Sequence, residues 1–195
     1  MHRLFDFWER YMRIPDDARL FLENHGQIKQ YRKSTIFSSP DEPKYYWCFT
    51  LEGLVAGLHY AKDGKKSSFR WLSIPNSYFT GTEHVFTRRA GSVYTTFLKD
   101  STVFQLRADA ASTAQRRYTA VSEFFHILKQ HQLTRLRNHV LLLQTTDYYE
   151  RYRILIEEMP DIVQHCDIGI QQEYAHLSRG TFYRVKKRYL NQRNM

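Results

Sequence analysis

The sequence predicts an α+β protein: a β-rich N-terminal part, then a long helix, then a small basic helical part. Three observations support this prediction. Before residue 107, short segments rich in aromatic and β-branched residues alternate with turn residues. Residues 92–159 contain neither Pro nor Gly, which favours uninterrupted secondary structure in that range. Positive charge concentrates in the last 25 residues.

The N-terminal part begins with a helical lead-in of about 25 residues, and strands follow. Segments 45–51, 54–60 and 92–97 have strand composition. Short turn sequences separate the strands: Glu52-Gly53, Asp63-Gly64, Pro75-Asn76 and Ala90-Gly91. Many short strands at this spacing predict a β-sandwich, jelly roll or barrel.

A long helix is predicted over residues 110–143, which contain many good helix formers. Apolar residues recur along it at spacings of three and four: Leu133, Leu136, Val140 and Leu143, with Phe124, Phe125 and Leu128 upstream. Such a seam either packs along the protein's own β-domain or pairs with a second copy of the helix. The sequence favours the pairing, and therefore a homodimer through residues 110–143.

A second helix is predicted from about Asp147 to Met159, ending at Pro160, with short helices after it. In the last helix, Ser178 is a good N-cap. An apolar stripe follows at helical spacing, formed by Phe182, Val185 and Tyr189, and it leaves Arg179, Tyr183, Arg184, Lys187 and Arg188 facing outward. One apolar and one cationic face are typical of a DNA-recognition helix. The alternative is a solvated basic helix.

The charge distribution favours the DNA interpretation. The net charge is +9, and residues 171–195 alone hold six Lys/Arg and one Asp/Glu, a net charge of +5. A localised cationic patch is what nucleic-acid binding through counterion release requires.

Several other classes find little support in the sequence. No apolar run approaches the 18 residues of a membrane span, and Asp6 and Glu9 interrupt any signal-peptide core, so a cytoplasmic protein is expected. Two cysteines, Cys48 and Cys166, form no disulfide framework or cluster motif. HExxH, Walker A and GxGxxG motifs are absent. We therefore expect no enzyme, metal or cofactor, and a jelly-roll enzyme is the weakest interpretation.

Specific residues resemble a known family. Near the C-terminus these are Glu150-Arg151-Tyr152, Leu155, Met159-Pro160 and Ser178-Arg179-Gly180-Thr181-Phe182-Tyr183-Arg184-Val185. In the β-rich part they are Tyr31-Arg32-Lys33-Ser34, Leu51-Glu52-Gly53-Leu54-Val55 and Phe97-Leu98-Lys99-Asp100-Ser101, similar to a basic turn, a Gly-containing hairpin and a Leu-x-Asp-Ser turn. In this order they resemble the Crp/Fnr family of bacterial transcription regulators, in its Bacteroidetes branch.

The resemblance implies three segments. Residues 1–107 would form a cyclic-nucleotide-binding-like jelly roll (a double-stranded β-helix), residues 108–143 a dimerisation helix, and residues 144–195 a helix-turn-helix domain. It also implies that helix 178–190 reads half of a near-palindromic double-stranded DNA site. Base edges are then assigned to Arg179, Tyr183 and Arg184. Phosphates are assigned to Ser178, Thr181, Lys186, Lys187 and Arg188.

The chain departs from the family pattern before the last helix. Gln171, Gln172 and His176 stand where the family carries Ile, Ala and a turn Gly, and little sequence follows for a C-terminal wing. A buried Gln costs packing, and a His at positive φ strains a turn. The alternative function is therefore a ligand-sensing or protein-interaction module with a decayed DNA-binding domain.

The ligand segment also departs from the pattern. Family members that bind a cyclic nucleotide use a Gly-Glu pair for the ribose and an adjacent Arg-Ser pair for the phosphate. The candidate effector-pocket residues are Gly81, Glu83, Arg88, Arg89 and Ser92. Because Arg89 stands three residues before Ser92, the adjacent pair is missing, and we expect cyclic-nucleotide binding to be lost or altered. Any small-molecule effector is unidentified.

Overall fold

The structure is a computed structural model that describes residues 1–60 and 67–193. The turn predicted at Asp63-Gly64 lies outside these residues. The fold is α+β, as predicted. It divides into two compact units, Met1–Gln130 and His131–Met195.

The first unit begins with two helices, in agreement with the helical lead-in that the sequence predicts, and continues with eight described strands. The helices are α1 (His2–Trp8) and α2 (Asp16–His25). The strands are β1 (Gly26–Tyr31), β2 (Ile36–Ser38), β3 (Tyr46–Glu52), β4 (Val55–Tyr60), β5 (Ser67–Ser73), β6 (Ser77–Thr80), β7 (Tyr94–Phe97) and β8 (Ser101–Arg107). They form two antiparallel four-stranded sheets, in the orders β1-β8-β3-β6 and β2-β7-β4-β5.

The resemblance suggested a hairpin at segment 51–55, but this segment is not a hairpin within one sheet. It joins β3 to β4, and these strands belong to different sheets. Gly53 has a φ of +94°, and a Cβ there would stand 2.1 Å from Ser101 Oγ. Glycine is therefore required both by the backbone and by the close approach. The Ser101 hydroxyl in turn accepts a hydrogen bond from Leu54 N at 3.1 Å.

Successive side chains of β3 and β8 point to opposite faces of the sheet and contribute to two separate apolar layers. Trp47, Phe49 and Phe104 lie in one core cluster with side chains of α1 and α2. Cys48 and Val103, on the opposite faces of the same strands, pack with residues of the other sheet. Since both faces of β3 are covered, its sequence is a nearly continuous apolar run.

The predicted long helix is two helices, and this corrects the prediction. Helix α3 spans Ala108–Arg117 and helix α4 spans Thr119–Gln144. Between them Tyr118 is extended, with φ −122° and ψ 111°. Its side chain is buried, with its ring centroid 5.6 Å from that of Phe21. The sequence has no Gly or Pro at this point, so we attribute the break to tertiary packing rather than to local propensity.

The apolar residues of α4 also divide into two groups. Phe124, Phe125 and Leu128 are buried in the core of the first unit. Leu133, Leu136, Val140 and Leu143, in the second unit, are between 36% and 55% exposed. The first group therefore packs in the core of the first unit, which is one of the two outcomes weighed from the sequence. The second group is exposed in the single chain, and its pairing with a second copy stays a prediction.

The second unit contains the end of α4 and four further helices. These are α5 (Tyr148–Glu158), α6 (Pro160–His165), α7 (Ile168–Tyr174) and α8 (Arg179–Arg193). Asp147 caps α5 by accepting a hydrogen bond from Glu150 N at 2.8 Å. Pro160 begins α6 at a position where its missing N–H costs nothing. The helix predicted over residues 147–159 is thus confirmed.

Candidate nucleic-acid interface

Helices α7 and α8 are joined by a short turn, residues 175–178, whose hydrogen bonds end α7 in a defined way. His176 N donates to Glu173 O at 3.1 Å, and Leu177 N donates to Gln172 O at 2.9 Å. His176 has a φ of +52°. This pair of bonds around a left-handed residue is a Schellman motif, in which Gly is the usual residue. Histidine here satisfies the same carbonyls at the cost of backbone strain.

The amide of Gln171 is buried and hydrogen-bonded. Its Nε2 donates to Cys166 O at 2.8 Å and to Val163 O at 3.1 Å, both at the end of α6. A buried amide with these partners avoids the cost of an unsatisfied polar group. The departures at positions 171 and 176 are therefore accommodated within an ordered turn.

Helix α8 starts as its sequence predicts. Ser178 Oγ accepts a hydrogen bond from Thr181 N at 3.2 Å and donates to Thr181 Oγ1 at 2.9 Å. Leu177, just before the cap, is buried. The cap fixes the residue at which the helix begins, and hence which side chains face outward.

The predicted apolar stripe of α8 is buried. Phe182, Val185 and Tyr189 pack in the second unit. Rings of Phe182 and Tyr189 contact the ring of Tyr152 on α5 edge to face, with centroids 5.2 Å and 5.6 Å apart. Tyr189 also donates to Glu157 Oε1 at 3.1 Å. These contacts hold α8 against α5 at both ends of the stripe.

The opposite face of α8 is exposed and cationic. Arg179, Tyr183, Arg184, Lys187 and Arg188 are exposed, and so is Ser178, whereas Thr181 and Lys186 are half-buried. The helix carries six Lys or Arg and no Asp or Glu. Among the described residues none of these six cations forms an ion pair with a carboxylate. The face therefore projects uncompensated positive charge into solvent.

Arg188 differs from its neighbours. Its guanidinium carbon lies 4.3 Å from the ring centroid of Tyr149 on α5, in a cation–π contact. Tyr149 also donates a hydrogen bond to Gln192 of α8. Arg188 therefore helps to fasten α8 to α5 while its charge stays at the surface.

Contacts that the sequence did not reveal hold the unit together. Arg135 pairs with Asp161 at 2.7 Å, and Arg151 Nη2 donates to Thr145 O at 2.7 Å. The His139 ring stacks on the Tyr174 ring at 3.8 Å and 7°, and burial lowers the pKa of His139. Arg151 belongs to a motif that the sequence analysis singled out, but neither that motif nor the other polar side chains identify a partner in the sequence.

The residues assigned to the effector pocket differ in their exposure to solvent. Gly81 is buried, and a Cβ there would stand 2.2 Å from Lys44 O and 2.9 Å from the Phe37 ring. The other four are exposed. Glu83 and Arg89 pair with each other, Arg89 Nε lying 3.7 Å from Glu83 Oε2.

Aromatic rings fill the space between the two sheets. The ring of Tyr31 stacks on that of Phe97, with centroids 4.3 Å apart. The ring centroid of Phe79 lies 5.4 Å from that of Phe37 and 6.1 Å from that of Trp71. The Tyr31 hydroxyl accepts a hydrogen bond from Gln105 Nε2 at 2.9 Å. A ligand entering this layer would have to displace rings that already contact each other.

Two other features of the described chain bear on function. Across residues 1–60 and 67–193, no group of three or more His, Cys, Asp or Glu side chains is placed to hold a metal ion. None of the helices in that part of the chain combines the length and apolarity needed to cross a membrane.

Comparison with known proteins identifies the fold. No family model matches the chain, and no curated protein matches it significantly. A cyclic nucleotide-binding domain containing protein from Listeria monocytogenes has a TM-score of 0.71 at 13% identity, over 91% of this chain and 90% of that one. FixK2 from Bradyrhizobium japonicum has a TM-score of 0.67 at 19% identity, over 86% and 85%. TTHB099, a CRP-family transcriptional regulator from Thermus thermophilus, has 0.62 at 16% identity, over 84% and 85%. The chain thus shares the fold of Crp/Fnr transcription regulators, as its motifs suggested.

Proposed function

We propose that the protein is a dimeric DNA-binding transcription regulator of the Crp/Fnr type. The observation that carries the proposal is the position of α8. Its apolar stripe is buried, and its capped start is ordered. Its cationic face is exposed and has no carboxylate partner among the residues that the structure describes. Helices α7 and α8 with their short turn then act as a helix-turn-helix, α8 entering the major groove.

The side chains on α8 divide by their position along the helix. Arg179, Tyr183 and Arg184 stand in the first two turns, which contact base edges in helix-turn-helix proteins. Lys186, Lys187 and Arg188 stand further along and suit phosphates, together with Ser178 and Thr181 at the start. Arginine pairs with guanine through two hydrogen bonds, so we assign Arg184 to the recognition of a base. Lys187 is assigned to a phosphate, a contact that positions the helix without reading the sequence.

The dimer forms through the exposed seam of α4. Leu133, Leu136, Val140 and Leu143 repeat at heptad spacing, and apolar side chains in this pattern are stable when a second helix covers them. Two copies of α8 then lie about one DNA turn apart, roughly 34 Å, and read a near-palindromic site.

As part of this proposal, cyclic-nucleotide binding is lost or altered in this protein. Support comes from the aromatic rings that occupy the space between the sheets and from the missing Arg-Ser pair. Any effector acts at another place and shifts the balance between arrangements of the DNA-binding helices.

The test selects binding sites from a pool of random duplexes and measures affinity by fluorescence anisotropy at several salt concentrations. Arg184→Ala is expected to weaken the selected site by about 1–3 kcal/mol and to relax specificity at one position. Lys187→Ala is expected to weaken all duplexes alike and to reduce the salt slope by about one.

Arg153→Ala is the matched control. It removes the same charge from the second unit, but Arg153 is held by Glu150 and Glu157 on α5. Its affinity for the selected site is expected to match that of the unmodified protein. If no duplex is retained at moderate salt, the DNA proposal is wrong and the interaction-module alternative takes its place.

A further inference from the structure

A cleft of about 680 Å³ opens on the surface of the first unit. It is lined by the loop at residues 85–88, by Tyr45, and by Arg107 together with residues of α3 from Ala108 to Arg116. Ligand sites for small molecules typically have volumes of ~300–1,000 Å³. The cleft lies apart from the ring-filled space between the sheets, and of the predicted effector residues within the described chain it includes only Arg88.

The lining of the cleft is cationic. Arg88, Arg107 and Arg116 line it, and Asp109 is the one carboxylate among its lining residues. Arg107 Nη2 is bound to Asp109 Oδ2 at 3.2 Å. Arg88 and Arg116 form no ion pair within the described residues, and Arg116 donates to Ser112 Oγ at 2.7 Å. Two guanidinium groups are therefore left to bind an anion.

Two aromatic rings line the same cleft. Tyr45 is 47% exposed and Phe86 is 54% exposed. The loop that carries Phe86 is ordered by its own hydrogen bonds: Phe86 N donates to His84 Nδ1 at 3.2 Å, and Thr87 N donates to His84 O at 3.1 Å. An exposed ring on a fixed loop offers a stacking surface without a large ordering cost.

We propose that this cleft binds a planar aromatic anion, with the acidic group at Arg88 and Arg116 and the ring at Tyr45 and Phe86. The acid is a phosphate, as in a nucleoside phosphate, or a carboxylate, as in an aromatic acid. The inference goes beyond the proposed function, because binding is measured without DNA and does not depend on it.

The test is isothermal titration of the full chain with two probes, GMP and 1-naphthoate, which separate the two sources of acid. Guanosine supplies a ring without charge, and inorganic phosphate supplies charge without a ring. We expect at least one of the two probes to bind clearly more tightly than guanosine and inorganic phosphate. Failure of both probes to bind at about 1 mM overturns the proposal, as does inorganic phosphate binding as tightly as GMP.

Arg88 lines the cleft and its neighbour Arg89 does not, so Arg88→Ala and Arg89→Ala form a matched pair of variants. Arg88→Ala and Arg116→Ala are each expected to raise the Kd of the bound probe about fivefold. Arg89→Ala, which removes the adjacent guanidinium outside the cleft, is expected to leave it unchanged. Equal losses in Arg88→Ala and Arg89→Ala would assign the effect to general charge and refute the site. Thermal unfolding of each variant verifies that the first unit remains folded.

Discussion

Leu136→Ala tests the dimer through the exposed seam of α4. Leu136 is 48% exposed in the single chain. Fully burying a leucine side chain contributes about 1.5–3 kcal/mol, so covering the exposed half contributes about 1 kcal/mol. Alanine keeps one methyl group and each dimer contains two copies, so we expect a loss of about 1–2 kcal/mol per dimer. That is roughly a 5- to 30-fold rise in the dimer dissociation constant.

Leu141→Ala is a closely matched control for this experiment. Leu141 is 49% exposed on the same helix, but it points about 100° away from Val140, off the seam. Sedimentation velocity over a dilution series measures the dimer constant of both variants, and urea unfolding measures the stability of the chain. We expect only Leu136→Ala to shift the dimer constant. Equal shifts in both variants, or a protein that is monomeric at every concentration, would refute the reasoning.

Three further predictions concern the second unit and the DNA. His176→Gly is expected to raise the free energy of unfolding by about 0.5–1 kcal/mol, because glycine adopts positive φ without strain; a lower value in urea unfolding would show that the imidazole stabilises the turn. Lowering the pH below about 6.5 is expected to destabilise the unit, because burial lowers the pKa of His139 and the unfolded chain then binds a proton that the folded chain excludes. Above that pH this contribution to the free energy of unfolding is constant. In urea unfolding between about pH 5 and 7, His139→Gln is expected to reduce the pH dependence of the free energy of unfolding. An unchanged pH dependence would assign the effect to other groups such as His131, whose pKa is also lowered by burial. Arg184→Ala is expected to weaken binding to the selected duplex more than binding to random duplexes. An equal loss of affinity for both would reassign Arg184 to a phosphate contact.

The sequence by itself determined the local elements. The spacing of Phe182, Val185 and Tyr189 fixed the buried face of α8, and Ser178 fixed its start, because both depend on residues within a few positions of each other. The same holds for the strands near residues 46–52 and 55–60 and for the helix that ends before Pro160.

Tertiary structure decided which partner covers each face. Periodicity along α4 showed an apolar seam, but only the fold places Phe124 in a core and leaves Leu136 exposed. The break at Tyr118 and the sheet change at Gly53 likewise depend on side chains that are distant in sequence. The cleft formed by Arg88 and Arg116 has the same origin, since a binding site made from separate segments has no local pattern.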